Sequence, residues 1–148
     1  MRHISYSTEV HAALETLWML LIEKIEKPQN YIPGVTEAKI LERFEDGLVR
    51  EVRTQGMVIK ERVTIDKPQG EVRYLLLEHP ILAGQVINRV VPTSVQSPVA
   101  PVVLTIMADW APKDVSAEKT IQENLPAQIQ QEVLSLKERA EELERAES

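Results

Sequence analysis

Between residues 35 and 110 apolar and polar positions alternate with a period of two, which predicts half-buried strands. Before Pro28 and after Pro112 the apolar spacing changes to three and four, which predicts amphipathic helices. Residues 2–7 alternate too (His3, Ile4, Ser5, Tyr6) and predict a short first strand. Ser7 and Thr8 are then read as caps of a first helix, with Glu9 in its first turn, where the helix dipole favours an acid. Leu14, Leu17, Trp18, Leu21, Ile22 and Ile25 form the apolar stripe of that helix, which stops before Pro28. The connector 28–34, carrying Tyr31 and Ile32 between prolines, predicts a bent, partly helical piece that packs inward.

Strands are expected near 35–44, 48–54, 57–66, 71–78, 85–91 and 102–110. The breaks are Glu45-Asp46-Gly47, Gln55-Gly56, Lys67-Pro68-Gln69-Gly70, His79-Pro80 and a longer loop at 92–101. Glycine accepts a positive φ and proline presets its own, so these are turns with a mechanism. Consecutive strands with short connections imply an antiparallel meander. In the terminal segment Ser116 is a candidate cap, and Leu125, Ile129, Val133, Leu136, Ala140 and Leu143 make a helical stripe. Pro126 should kink or divide that helix. The stripe is too short for the sustained heptads of a coiled coil, so it is read as a helix laid on the sheet.

Strand parity singles out polar residues among apolar ones. Met57, Ile59, Val63 and Ile65 share a face, and Glu61 falls in its middle. A hairpin closed at Gln55-Gly56 sets Val52 opposite Ile59 and Arg50 opposite Glu61. A three-residue turn at Glu45-Asp46-Gly47 would set Glu42 opposite Arg50. The expectation is a row of Glu42, Arg50 and Glu61 across three strands, with Asn88 and Tyr74 on the same face as further polar partners. One guanidinium between two carboxylates leaves a buried negative charge, so water or another donor must lie nearby. Such a row is either the polar end of a ligand site or an ion network that pins strand register.

The 148 residues suit one domain, residues 1–148, large enough to bury a core without a metal or disulfide staple. There is no cysteine, and the net charge of −6 argues against a nucleic-acid surface. The longest apolar run, 17–22, is far short of a membrane span, and no signal peptide precedes it, so a cytoplasmic protein is expected. His3, His11 and His79 lack metal-ligand spacing, no Gly-x-Ser-x-Gly elbow is present, and no nucleotide-binding glycine motif occurs. No metal and no cofactor are expected. His79, before Pro80, is read as structural or as a cavity rim, and Trp18 and Trp110 as core or cavity lining.

Leu17-Trp18, Leu21 and Lys24, then Pro28-Gln29, then Tyr31-Ile32-Pro33-Gly34-Val35 follow a distinctive order, as do Ile40-Leu41-Glu42, Arg50-Glu51 and Lys60-Glu61-Arg62-Val63. With the order of elements, they resemble the acetylaranotin-biosynthesis-protein-L-like branch of the START/Bet v 1-like (SRPBCC) superfamily. The resemblance covers most of residues 1–110 and implies an α+β helix-grip fold, a seven-stranded antiparallel sheet curled around a long C-terminal helix. It implies a binder of an apolar or aromatic small molecule held between sheet and helix, as monomer or homodimer. On that reading Arg50, Glu61, Glu42, Asn88 and Tyr74 would meet the ligand's polar end, and Val52, Ile59, Val63, Ile129 and Val133 its apolar body. A second reading is a polyketide cyclase-like enzyme with Glu61 or Glu42 as general base and Arg50 steadying an enolate. A third is a protein-interaction module using exposed residues such as Leu75 and Leu77 on the outer face.

Overall fold

The computed structural model describes residues 2–93 and 101–147, so most of the loop expected at 92–101 lies outside the described residues. The elements are β1 (Arg2–Val10), α1 (Leu14–Glu26), a single 3-10 turn (Pro28–Asn30), β2 (Val35–Phe44), β3 (Gly47–Thr54), β4 (Met57–Asp66), β5 (Glu71–Glu78), β6 (Leu82–Pro92), β7 (Val102–Pro112) and α2 (Val115–Glu147). All seven strands form one antiparallel sheet in the order β1-β7-β6-β5-β4-β3-β2. Strands β2 to β7 run as the expected meander, and β1 adds beside β7. Both helices pack on one face of this sheet, α2 mainly over β1 and β7.

The α2 stripe is the main seal of the core. Leu125, Ile129, Val133, Leu136 and Ala140 are all buried, so the terminal helix does lie on the sheet. It runs unbroken through Pro126, contrary to a division there. Pro126 is exposed, so the bond it lacks falls on the solvated side of the helix. The side chain of Ser116, read as a cap, lies outside the described residues. On the opposite face of the sheet Leu75 and Leu77 are exposed, as parity requires.

Two local expectations are overturned. Ser7, Thr8 and Glu9 belong to β1, paired with Thr105, Leu104 and Val103, and do not cap α1. The inward alternation continues through Tyr6 and Thr8 to Val10, which is fully buried, and this extends the strand. The start of α1 is held instead from the far end of the chain. Glu144 accepts hydrogen bonds from the Ala13 N–H (2.8 Å) and the Thr16 hydroxyl (2.5 Å), and Glu141 from the His11 N–H (2.8 Å). Lys137 bonds both Glu141 and the Glu9 carbonyl, at 2.8 Å each. The acidic C-terminal turns of α2 therefore anchor the entry to α1 and place carboxylates where its dipole favours them, while bonding no amide inside the helix.

The second correction concerns Glu42. The β2–β3 hairpin turns on Glu45 and Asp46 alone, so Phe44 pairs with Gly47 and Glu42 with Val49. A bulge between Ile40 and Glu42 then restores register, and Ile40 takes the place opposite Arg50. Glu42 is exposed on the outer face. The predicted row of three is a pair, Arg50 with Glu61.

Candidate functional site

A cavity of about 500 Å³ lies between the inner face of β3–β6, the connector after α1 and residues 124–132 of α2. Its walls are mostly apolar, with Val52, Ile59, Leu76, Val86 and Ile129 among them. One end is polar and is built from Lys24, Arg50, Glu61, Tyr74 and Glu132.

Lys24 sits on the inward stripe of α1, three residues after Leu21, and is only 2% exposed. Its ammonium donates to the Asn88 side-chain carbonyl on β6 and to the Glu132 carboxylate on α2, so one side chain ties three elements. Arg50 is equally committed. Its Nε and Nη2 both reach Glu61 Oε1 at 2.9 Å. Its Nη1 donates to the carbonyls of Ile25 (2.6 Å) and Lys24 (3.3 Å). Those carbonyls belong to the last turn of α1 and have no intrahelical partner, so Arg50 caps that helix and complements its dipole. Between them the two cations cover the Tyr74 ring, Arg50 at 4.8 Å and Lys24 at 5.4 Å from its centroid.

The charges at this end balance, two cations against two carboxylates. Three neutral donors in and around the cavity lack a partner. The Tyr74 hydroxyl, the Asn88 side-chain nitrogen and Trp110 Nε1 are buried and have no hydrogen-bond partner among the described residues. A buried donor left unmade costs about 1–3 kcal/mol. Burial pushes the Tyr74 phenol up, against the opposing pull of Lys24 and Arg50, so it keeps its proton at neutral pH.

His79 lies on the cavity wall in the turn between β5 and β6. Its Nδ1 accepts the N–H groups of Ile81 and Leu82, both at 3.1 Å. Burial, with help from Lys113, holds its pKa below the ordinary histidine value. The ring is therefore neutral with its proton on Nε2.

The expected site residues thus divide. Arg50, Glu61, Tyr74, Val52, Ile59 and Ile129 line the cavity. Asn88 stands behind the wall and reaches the site through Lys24, while Val63 and Val133 are fully buried in the core. Glu42 is on the other side of the sheet. Sequence reasoning missed Lys24 and Glu132 as site residues. Each had a signal, a charge in step with an apolar helical stripe: Lys24 after Leu17 and Leu21, Glu132 after Leu125 and Ile129. Among the described residues no group of three histidine or acidic side chains is placed to hold a metal, and no helix is long and apolar enough to cross a membrane.

Residues 8–143 match the family model described as acetylaranotin biosynthesis cluster protein L. No curated protein sequence matches. Among solved structures, the Zhui aromatase/cyclase of Streptomyces sp. R1128 superposes with a TM-score of 0.80 at 17% identity, covering 99% of this chain and 98% of that one. XoxI of Bacillus cereus gives 0.74 at 20% identity, over 97% and 99% of the two chains. A START superfamily protein of Mycobacterium smegmatis gives 0.70 at 20% identity, over 95% and 98%. These likenesses establish the fold, an open seven-stranded sheet gripping a long C-terminal helix.

Proposed function

The chain belongs to the family of acetylaranotin biosynthesis cluster protein L, and from that premise we propose that its cavity binds a neutral, apolar, ring-containing small molecule. The observation that carries this reading is the cavity itself, about 500 Å³ with mostly apolar walls and a charge-balanced polar end. Val52, Ile59 and Ile129 would hold the apolar body. Arg50, Glu61 and Tyr74 would face the polar end, with Asn88 positioning Lys24 and with Val63 and Val133 backing the walls. An acid is disfavoured, because a third anion beside two ion pairs would be buried without a counter-charge. Mass spectrometry of small molecules released from the natively purified protein tests the proposal. A stoichiometric neutral compound, lost when Ile59→Phe narrows the cavity, supports it. No retained compound, and no binding of any aromatic ketone or phenol better than millimolar by calorimetry, would refute it.

A cyclase-like enzyme is the second reading, favoured by one observation. Both Arg50 bonds to Glu61 go to Oε1, and no bond to Oε2 is found among the described residues, leaving a carboxylate oxygen at the cavity to serve as general base. The fold shared with the Zhui aromatase/cyclase supports it at the level of scaffold only. Deuterium exchange at the α-carbon of a bound ketone, fast in the wild type and lost in Glu61→Gln, is its expected signature.

A further inference from the structure

We propose that His79 reads the ligand: its Nε2–H donates to a carbonyl-type oxygen of the bound molecule, at a polar point of the cavity wall separate from Arg50 and Lys24. The inference rests on the ligand-binding reading above and narrows its class to apolar molecules that carry a ketone or quinone oxygen.

Most donors around the cavity are unable to serve. Arg50 is spent on Glu61 and on the last carbonyls of α1, and Lys24 on Asn88 and Glu132. A ligand that took either cation would have to break a buried ion pair. The Tyr74 hydroxyl and Trp110 Nε1 are unpaired but sealed, out of a ligand's reach. His79 differs from both groups. It lies on the cavity wall together with Leu76, Ile81 and Leu82, its neighbours in the chain. Its Nδ1 accepts the Ile81 and Leu82 amides at 3.1 Å each, which orients the ring and leaves the proton on Nε2. Nε2 sits on the edge of the ring away from those amides. It has no hydrogen-bond partner among the described residues, yet it is not one of the sealed unpaired atoms, which belong to Tyr31, Tyr74, Asn88 and Trp110. A ring only 9% exposed that keeps one edge open presents that edge to the cavity it lines.

The same two bonds decide which ligand atom fits. Charging the ring would put a proton on Nδ1 and displace both amides, so His79 stays a neutral donor. Burial and Lys113 act in the same direction and outweigh the opposing pull of Glu61. Pro80 follows at once and stiffens the turn that carries the ring. A fixed, neutral N–H in a mostly apolar wall matches a carbonyl oxygen and gives an anion no counter-charge.

Calorimetry at neutral pH with 2-ethylnaphthalene and 2-acetonaphthone, alike in shape but for the carbonyl, tests this. The ketone is expected to bind about fivefold tighter than the hydrocarbon. His79→Asn keeps an acceptor for the two amides and loses the N–H at Nε2. It should abolish the preference while leaving the hydrocarbon's affinity within about twofold of wild type. A second readout needs no variant. In the isotope-labelled wild type, the nuclear magnetic resonance signal of the His79 Nε2–H proton should move downfield with the ketone and stay in place with the hydrocarbon. A ketone preference below about twofold, a preference that survives His79→Asn, or an unmoved ring proton overturns the inference while the cavity reading stands. If neither probe binds, the ligand-binding reading itself falls, and the inference with it.

Discussion

Replacing Lys24 by methionine tests the polar end of the cavity at its most buried point. Methionine nearly preserves volume, so little cavity cost is expected. What is lost is the counter-charge of Glu132 and the donor to Asn88, both buried. Removing one member of a buried ion pair costs about 3–5 kcal/mol, because the other charge stays behind unpaired. Against a total stability of about 5–15 kcal/mol for a domain of ordinary size, that is a large fraction. The assay is urea unfolding at neutral pH, read as a shift in midpoint with unchanged slope. The companion variant, Lys24→Met with Glu132→Leu, removes both charges and should recover at least about 2 kcal/mol of the loss. A single-variant loss under about 1 kcal/mol, or a double variant no better than the single, would show that the Lys24–Glu132 pair is solvated and not buried as described.

Further consequences follow from the core, from the contacts of Glu144 with the start of α1 and from His79. Leu136→Ala, at a fully buried position of α2, should cost about 2–5 kcal/mol in urea unfolding, and a loss below about 0.5 kcal/mol would mean that α2 does not cover the core. Glu144→Gln should weaken the anchor at the start of α1 and lower the thermal midpoint at neutral pH. The Glu144 carboxylate is held below its usual range by the Thr16 and Ala13 donors. Its contribution is therefore present above the unfolded carboxyl pKa and lost as pH falls through the folded one, so the gap between wild type and variant should close in acid. His79 has its pKa lowered by burial, so the unfolded chain takes up the proton first. Stability should fall as pH drops below about 6.5, and His79→Asn, which keeps an acceptor for the Ile81 and Leu82 amides, should flatten that slope in unfolding curves.

Most of the architecture was legible because its signals are local and periodic. The inward alternation of Met57, Ile59, Glu61 and Val63, with a two-residue turn at Gln55-Gly56, fixed the pairing of Arg50 with Glu61. The stripe Leu125, Ile129, Val133, Leu136 and Ala140 located the buried face of α2. What escaped depends on contacts remote in sequence or on one residue of turn length. Glu42 was misplaced because the turn holds two residues rather than three and a bulge follows, and parity reverses with a single slip. The cap of α1 was assigned to Ser7 and Thr8 because nothing local reveals that Glu144, over a hundred residues away, holds the start of that helix. Lys24 and Glu132 were legible singly as charges in apolar stripes, but their meeting across two helices was not. The unpaired state of the Tyr74 and Trp110 donors exists only in three dimensions.

The claim that the cavity holds a neutral apolar molecule is tested most directly by fluorescence of Trp110. The chain has two tryptophans, and Trp18 lies in the core away from the cavity wall. Trp18→Phe therefore leaves the cavity indole as the sole reporter. Titration of this variant with 2-methyl-1,4-naphthoquinone should give saturable quenching at micromolar concentration, weakened at least about tenfold when Ile59→Phe narrows the cavity. Linear quenching no stronger than that of free N-acetyltryptophanamide, and unaffected by Ile59→Phe, would contradict the account.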